Sequence, residues 1–307
     1  AKPIVKWAGG KRQLLSTFEE LYPSKLKNGK IKKYIEPFVG GGAVFFDLVS
    51  RYDFEEIILN DINNILISTY FVIKTNVEKL IEELEGLQKS YLEKDTEERE
   101  KFFYDIRSRF NELKGSIEFN GEETIITQTL VMTCSYFLFL NRTCFNGLYR
   151  ENKKGYFNVP FGKYKNPSIL DKENLLNASK LLKKVTLKNG DFEDLSKYIT
   201  KDTFVYLDPP YRPLNVTSSF SSYSKGDFND DEQIRLARWF REVSKTGASL
   251  MLSNSNPKNT NPEDTFFDDL YGGFKIYDDV QASRAINSKG SKRGAITELV
   301  IISEGED

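Results

Sequence analysis

The stretch EPFVGGGA at residues 36–43 decides the fold of this chain. The residues before it, KKYI, predict a short buried strand, and its three glycines lead into AVFFDLVSR, which has the period of a helix. Residues 56–60, EIILN, predict a second strand that ends on Asp61. A strand, a glycine turn, a helix, a second strand and an acid, in this order, are typical of the start of a doubly wound nucleotide-binding sheet.

The apolar segments from about residue 185 onward predict the other half of this sheet. They are VTLKNGDF, DTFVYLDPPY, ASLMLSNS, FKIYDDV and AITELVIIS, and a helix is expected at about 230–245. We therefore expect an α/β fold whose doubly wound, mostly parallel sheet is built from residues 1–61 and 181–307.

The intervening residues 62–180 predict an inserted, mainly helical domain. Residues 63–114 are charged and helical in period, and residues 125–140 are apolar enough for a buried helix. Residues 141–167 alternate aromatic, basic and turn residues, which indicates a surface loop with a β-hairpin.

The composition argues against several classes of protein. No run approaches the ~20 apolar residues of a membrane span, and the start AKPIVKWAGG lacks the apolar stretch of a secretory signal. The chain has no histidine, and its two cysteines lack metal-ligand spacing, which excludes a histidine-based triad and a zinc site. We expect a cytoplasmic protein without a bound metal.

The charge is strongly polarised although the net charge is only −1. Residues 140–188 hold eleven Lys and Arg against three Asp and Glu, and residues 1–33 hold nine against two. Residues 76–124 are acidic, with fourteen Asp and Glu against eight Lys and Arg. A polarised charge can steer a polyanion even when the total is near zero, although any single basic run can equally be a solvated face.

The tetrapeptide DPPY at 208–211 follows the apolar strand FVYL and suits a site that methylates a planar amino group. Such an amine is a poor nucleophile, because its lone pair is delocalised into the ring. The carboxylate of Asp208 can accept its hydrogens, Pro209 and Pro210 stiffen the turn, and Tyr211 can stack on an extruded base. The tetrapeptide alone leaves DNA adenine, RNA adenine, cytosine N4 and glutamine amide open as acceptors, as well as a plain proline turn.

The glycine-rich turn suits the matching cofactor. Glycines allow a ligand to approach the backbone closely, Glu36 can hold a cationic group, and Asp61 suits two ribose hydroxyls. The spacing GxxxxGK[ST] of a phosphate-binding loop is absent. Together with DPPY, this turn points to an S-adenosylmethionine-dependent enzyme that acts on an adenine in DNA.

At this point the chain resembles a known family, the Dam-type (D12 class, alpha group) DNA adenine-N6 methyltransferases. The resemblance covers nearly the whole chain. Its motifs occur in the family's order: KWAGGKRQLL (6–15), EPFVGGGAVFFDL (36–48), LNDIN (59–63), NRTCFNGLYR (141–150), FNVPFGKY (157–164), GDF (190–192), DPPY (208–211) and LSNS (252–255). It implies that the two sheet segments form the catalytic domain and that residues 62–180 form the target-recognition domain.

The resemblance also implies which residues bind the cofactor. Asp61 matches the acid on its ribose, Ile62 lies beside its adenine, and Asp208 serves both the target amine and the methionyl end. The full implied set is Trp7, Lys11, Glu36, Pro37, Phe38, Gly40, Asp61, Ile62, Asp191, Phe192 and Asp208. The product is S-adenosylhomocysteine.

For DNA, the resemblance implies recognition of GATC by the hairpin. Phe145 occupies the position of a wedge in the duplex, Asn146 that of a contact to the orphaned thymine, and Arg150 that of a bidentate guanine contact. Lys163 stands where the family leads us to expect an arginine. The full implied set is Lys6, Asn141, Arg142, Phe145, Asn146, Leu148, Arg150, Pro160, Lys163 and Tyr164.

Two further segments are expected to face DNA. Residues 212–228 are rich in serine and suit a loop that closes over the flipped base, and Arg284, Lys292 and Arg293 can hold phosphates. We expect a monomer that acts on double-stranded DNA without an obligate protein partner or a membrane. An RNA adenine methyltransferase and an inactive DNA-binding regulator are the alternatives.

Overall fold

The computed structural model of the protein describes residues 1–212, 228–282 and 296–305. Its strands are β1 (Lys33–Glu36), β2 (Glu56–Asp61), β3 (Val185–Asn189), β4 (Thr203–Leu207), β5 (Ser249–Ser255), β6 (Lys275–Ala282) and β7 (Ile296–Ser303). Its helices are α1 (Leu15–Leu21), α2 (Ser24–Lys27), α3 (Ala43–Leu48), α4 (Asn64–Leu92), α5 (Thr96–Leu113), α6 (Gln128–Thr143), α7 (Lys172–Leu182), α8 (Asp230–Ser244) and α9 (Phe266–Leu270). Each strand predicted from the apolar segments is present.

The seven strands form one sheet in the order β3-β2-β1-β4-β5-β7-β6. Strand β4 runs parallel to both β1 and β5, whereas β7 is antiparallel to β5 and β6. Every residue of β4 and β5 is buried, which explains why the sequence of β4, TFVYL, does not alternate between apolar and polar residues. The prediction of an α/β fold on a mostly parallel sheet is confirmed.

The chain folds into two compact units. The first unit contains Ala1–Gly10, Val39–Val49 and Ile58–Gly190, and the second contains Lys11–Phe38, Ser50–Ile57 and Asp191–Asp307.

The first unit contains a helical bundle, because its charged helices each carry one apolar stripe. Helix α4 packs on α6 and α7, and α5 packs on α6. The side chain of Asn63 caps α4 by accepting from the Leu66 N–H, and a capping box of Asp95 and Glu98 starts α5. Helix α6 is buried along most of its length, as its apolar sequence predicts.

The predicted hairpin follows α6. Its two arms pair antiparallel at the isolated bridges Cys144–Phe161 and Glu151–Phe157, and the chain turns between Asn152 and Gly155. The backbone of Phe145 also donates to the carbonyl of Pro160 over 2.8 Å. These bridges bring together the two segments that the family resemblance predicts to read bases.

The second unit contains β1 and β4 to β7 together with α8, which packs on β5. The Asn229 side chain caps α8 by accepting from the N–H of Glu232, and the apolar face of the helix buries Leu236 and Phe240. Among the described residues, no helix is long and apolar enough to cross a membrane.

Candidate active site and nucleic-acid interface

The DPPY turn begins where β4 ends, at the carboxyl edge of the sheet. Its neighbour β1 ends at Glu36, and the strand order reverses direction between these two strands, which is where open α/β sheets bind ligands. Asp208 is held there by two contacts to the same oxygen: Lys11 Nζ lies 2.9 Å from Oδ1, and Ser253 Oγ donates to it over 3.2 Å. Within the described parts of the chain, Oδ2 is left to accept a hydrogen bond from a ligand.

Lys11 is a central part of this site. Its side chain is only 2% exposed, and its ammonium lies 4.4 Å from the centre of the Tyr211 ring as well as beside Asp208. A buried ammonium needs such partners, because leaving water is costly for an unpaired charge. The structure thus places Lys11 on the DPPY turn, while its predicted contact with the cofactor stays a prediction.

Burial raises the pKa of Asp208 above its usual value, and the neighbouring Lys11 ammonium lowers it again in part. Tyr211 donates its hydroxyl to Oε2 of Glu298 over 2.6 Å, and burial raises the pKa of both groups. Glu298 has no signal in the sequence, because nothing in its surroundings on β7 distinguishes it from an ordinary strand residue. Ser253 lies within the LSNS motif, but the motif does not indicate which of its residues contacts Asp208.

Three other predicted cofactor residues of the second unit, Phe38, Asp191 and Phe192, lie around an aromatic cluster. The rings of Phe38 and Phe192 are 5.6 Å apart, and the Arg235 guanidinium lies 4.2 Å from the centre of the Phe192 ring. Arg235 also donates to both oxygens of Asp191 over 2.8 and 2.7 Å, and this pairing lowers the pKa of that carboxyl. Glu36 is buried and accepts from the hydroxyl of Tyr34 over 2.8 Å.

In the first unit, Asp61 closes the glycine turn. Its Oδ2 accepts from the N–H of Gly40 over 3.0 Å, and its Oδ1 accepts from the N–H of Asn63 over 2.9 Å. Burial raises the pKa of Asp61 to about 6, although these backbone donors oppose the shift. The adjacent Ile62 is 73% exposed, which leaves an apolar side chain open to a ligand.

A side chain at Gly40 would strain this turn and would displace the indole of Trp7. Its φ is 47°, and a Cβ atom at this position would lie 2.6 Å from Cδ1 of Trp7. The indole of Trp7 in turn stacks on the ring of Tyr149, with centres 5.6 Å apart. The predicted residues Trp7, Gly40 and Asp61 therefore belong to one part of the first unit.

Most of the predicted base-reading residues form an exposed surface of the first unit. Two hydrogen bonds shape it: Asn146, at φ 56°, donates its N–H to the Tyr164 hydroxyl over 2.9 Å, and Arg150 Nε donates to Asn158 Oδ1 over 2.9 Å. The exposed members, which we call the reading surface, are Lys6, Phe145, Asn146, Leu148, Arg150, Pro160 and Lys163.

Asn141 and Arg142 lie beneath the reading surface. The Asn141 side chain is 2% exposed; it accepts from the N–H of Lys6 and donates to the carbonyls of Lys6 and Gly147. Arg142 is half-buried and donates to the carbonyl of Ile4 over 2.5 Å. This burial favours positioning of Lys6 over direct DNA contact, and the predicted contact by Asn141 and Arg142 stays a prediction.

Comparison with known proteins decides the class. The chain matches the family described as D12 class N6 adenine-specific DNA methyltransferase over residues 7–286. It belongs to this family. The predictions of the family and of an adenine-specific DNA methyltransferase are therefore confirmed.

Several relatives of this methyltransferase are similar over nearly their whole length. The Type II methyltransferase M.MjaIII of Methanocaldococcus jannaschii is 52% identical over 302 residues, which is 98% of each chain. The Type II methyltransferase M1.LlaDCHI of Lactococcus lactis subsp. cremoris is 37% identical, with 99% of this chain and 96% of the relative covered. The DNA adenine methylase of Haemophilus influenzae is 35% identical, with 98% and 93% covered.

Some predictions for this methyltransferase fall on other parts of the chain. The loop predicted at 212–228 lies mostly outside the described residues, and so do Arg284, Lys292 and Arg293. Within residues 1–212, 228–282 and 296–305, no cluster of three or more acidic or cysteine side chains could hold a metal ion.

Proposed function

We propose that this methyltransferase takes its methyl group from S-adenosylmethionine and transfers it to N6 of an adenine flipped out of duplex DNA, within the sequence GATC. The observation that carries this proposal is the Asp208 carboxylate, with Oδ1 held by Lys11 and Ser253 and Oδ2 left for the target amine. A carboxylate held in this way accepts an N–H without having to reorganise, which is the main source of catalysis in a preorganised site.

The residues of the glycine turn fit the chemistry of the proposed methyl donor. S-adenosylmethionine supplies an electrophilic methyl group on a cationic sulfonium. Glu36 is a buried carboxylate suited to the cationic end, Asp61 can accept from the two ribose hydroxyls, and the open apolar side chain of Ile62 suits an adenine ring.

The chain's own residues would prepare the acceptor amine. Asp208 Oδ2 and the carbonyl of Pro209 accept its two hydrogens and draw its lone pair out of conjugation with the ring, while Tyr211 stacks on the base. The N6–carbon bond then forms as the carbon–sulfur bond breaks, and the electron pair of that bond stays on sulfur. The surplus N6 proton leaves to Asp208 and then to water.

The reading surface supports a sequence-specific duplex substrate. Phe145 is 51% exposed and could wedge into the gap left by the extruded adenine, and Asn146 could face the orphaned thymine. Leu148 and Pro160 could pack on thymine methyls, and Arg150 could read a guanine edge. Lys6 would read the first guanine, with Tyr164 beneath it at 5.1 Å from the ammonium to the ring centre.

We also propose that one copy acts alone and needs no metal ion. The sulfonium is itself the electrophile, so the reaction needs no Lewis acid, and only one base is extruded in each turnover. Activity should persist in excess EDTA, and sedimentation should give the mass of one chain. Activity that EDTA abolishes and Mg²⁺ restores would contradict the proposal that no metal ion is needed.

The test is methyl transfer from labelled S-adenosylmethionine to matched duplexes. One duplex contains GATC, the second contains GATC already methylated on both adenines, and the third has the same bases in scrambled order. Label in the first duplex alone supports the proposal. Label in genomic DNA but in none of the three would refute GATC and keep the DNA reaction, whereas label in RNA alone would favour the RNA alternative. Binding of DNA without any cofactor binding would favour the inactive regulator.

A further inference from the structure

Two buried side-chain amides are hydrogen-bonded in series to the DPPY turn. Gln233 of α8 donates from Nε2 to the carbonyl of Pro210 over 2.9 Å, and Asn254 of β5 donates from Nδ2 to Oε1 of Gln233 over 3.1 Å. Both side chains are 0% exposed. Fully buried amides are costly unless they are hydrogen-bonded, and these two are bonded to each other and to the turn.

Backbone N–H groups determine which end of each of these two amides donates and which accepts. Oδ1 of Asn254 accepts from the N–H of Ser255 over 2.8 Å and from the N–H of Arg212 over 3.3 Å, so its Nδ2 must face Gln233. Since Nδ2 can only donate, Gln233 must present its oxygen to Asn254 and its Nε2 to Pro210. Neither amide can flip without losing hydrogen bonds.

The hydrogen bond from Gln233 restrains the turn and occupies only one of its two proline carbonyls. Two consecutive prolines contribute no backbone N–H, so the turn cannot hold itself by the usual internal hydrogen bonds. Gln233 occupies the carbonyl of Pro210, while the carbonyl of Pro209 has no donor among the described residues. The acceptors that remain for a target amine are therefore Pro209 and Oδ2 of Asp208.

We propose that Gln233 and Asn254 are positioning residues for methyl transfer, which orient the DPPY turn so that the carbonyl of Pro209 and the carboxylate of Asp208 face the amine. The inference rests on the proposed role of these two acceptors. It predicts that loss of the Gln233 donor lowers turnover and leaves the binding of DNA and cofactor nearly unchanged. A misplacement of about 1 Å can cost roughly 10²-fold in rate.

The test is Gln233→Glu, measured as kcat and KM for methyl transfer to genomic DNA at pH 8 and pH 6. At pH 8 the glutamate cannot donate to Pro210, and kcat should fall at least about tenfold with both KM values within about twofold of the parent. A carboxyl buried this deeply protonates near neutral pH, and its O–H then donates to Pro210. The deficit relative to the parent should therefore shrink at pH 6.

The comparison needs two controls. Gln281→Glu makes the same change at an exposed position of β6 and should behave as the parent at both pH values. The parent carries the same charged groups near the amides: Asp208 and Arg212 on the turn, Asp230 and Asp264, which both pair with Arg212, and Glu232, which precedes Gln233 on α8 and pairs with Arg235. Its own pH profile is therefore the reference, and a parent that fails to methylate any DNA would contradict the proposed function rather than this inference.

If the kcat of Gln233→Glu is the same fraction of the parent's at both pH values, its carboxyl has not titrated between them. In that case, or if Gln233→Glu does not fold, Gln233→Met decides, because it keeps the volume and removes both hydrogen bonds. A folded Gln233→Met with the kcat of the parent would overturn the proposal, and one slowed at least about tenfold with KM preserved would support it.

Discussion

The ion pair of Lys11 and Asp208 allows stability and catalysis to be separated by experiment. Over 2.9 Å, two unit charges at an effective dielectric constant of about 20 attract by about 6 kcal/mol before the cost of desolvation. Removing one partner of a buried pair typically costs about 3–5 kcal/mol, because the other charge is left uncompensated. Asp208 is 21% exposed, so we expect Asp208→Ala to lose about 3 kcal/mol of unfolding free energy.

The double variant Lys11→Met, Asp208→Ala removes the stranded charge as well. Replacement of a whole buried pair by apolar groups is often neutral, so most of the lost stability should return. Turnover should not return, because the acceptor for the amine is gone in both variants. Loss of one preorganised group costs about 10²–10³ in kcat, and we expect at least this reduction in both.

The assays are urea unfolding followed by circular dichroism, single-turnover transfer of labelled methyl groups, and DNA affinity by fluorescence anisotropy. DNA affinity should stay near that of the parent in both variants. A single variant with more than a tenth of the parent's turnover would refute the role of Asp208. A double variant that recovers turnover together with stability would also refute this role, because the loss of turnover in the single variant would then be a folding effect.

Three further predictions concern other parts of the site. Burial raises the pKa of Asp61 to about 6, and its ionised form is the better acceptor, so affinity for S-adenosylmethionine should fall as the pH drops through 6. Calorimetry from pH 5 to 8 should show this fall in the parent and a flat profile in Asp61→Asn. Phe145→Ala should slow methyl transfer on a fully paired duplex about tenfold or more, and an abasic site opposite the target adenine should restore the rate. Equal losses of rate on both duplexes would contradict the role of Phe145 as a wedge. Arg150→Lys should cost about 1–3 kcal/mol of discrimination at one guanine. The measurement is the ratio of kcat/KM for the cognate duplex to that for a duplex substituted at this base, and an unchanged ratio would show that Arg150 does not read a base.

The sequence by itself determined the order of strands and helices and the class of chemistry. Apolar runs of strand length with turn residues at their ends, and charged stretches with a helical period, are local signals that survive without tertiary contacts. The glycines before α3 and the prolines after β4 carry backbone information of the same local kind. Asp208 and Asp61 were found because each lies where a strand ends.

Only the tertiary structure decided which partners these residues have. Lys11 meets Asp208 across 197 positions of sequence, Asp191 is held by Arg235, and Asn141 lies beneath the surface that it was expected to help form. Gln233 lies within an ordinary amphipathic pattern of α8 and gave no signal. Contacts of this kind depend on where helices and strands pack in space, and the period of a single segment carries no information about its neighbours from distant sequence.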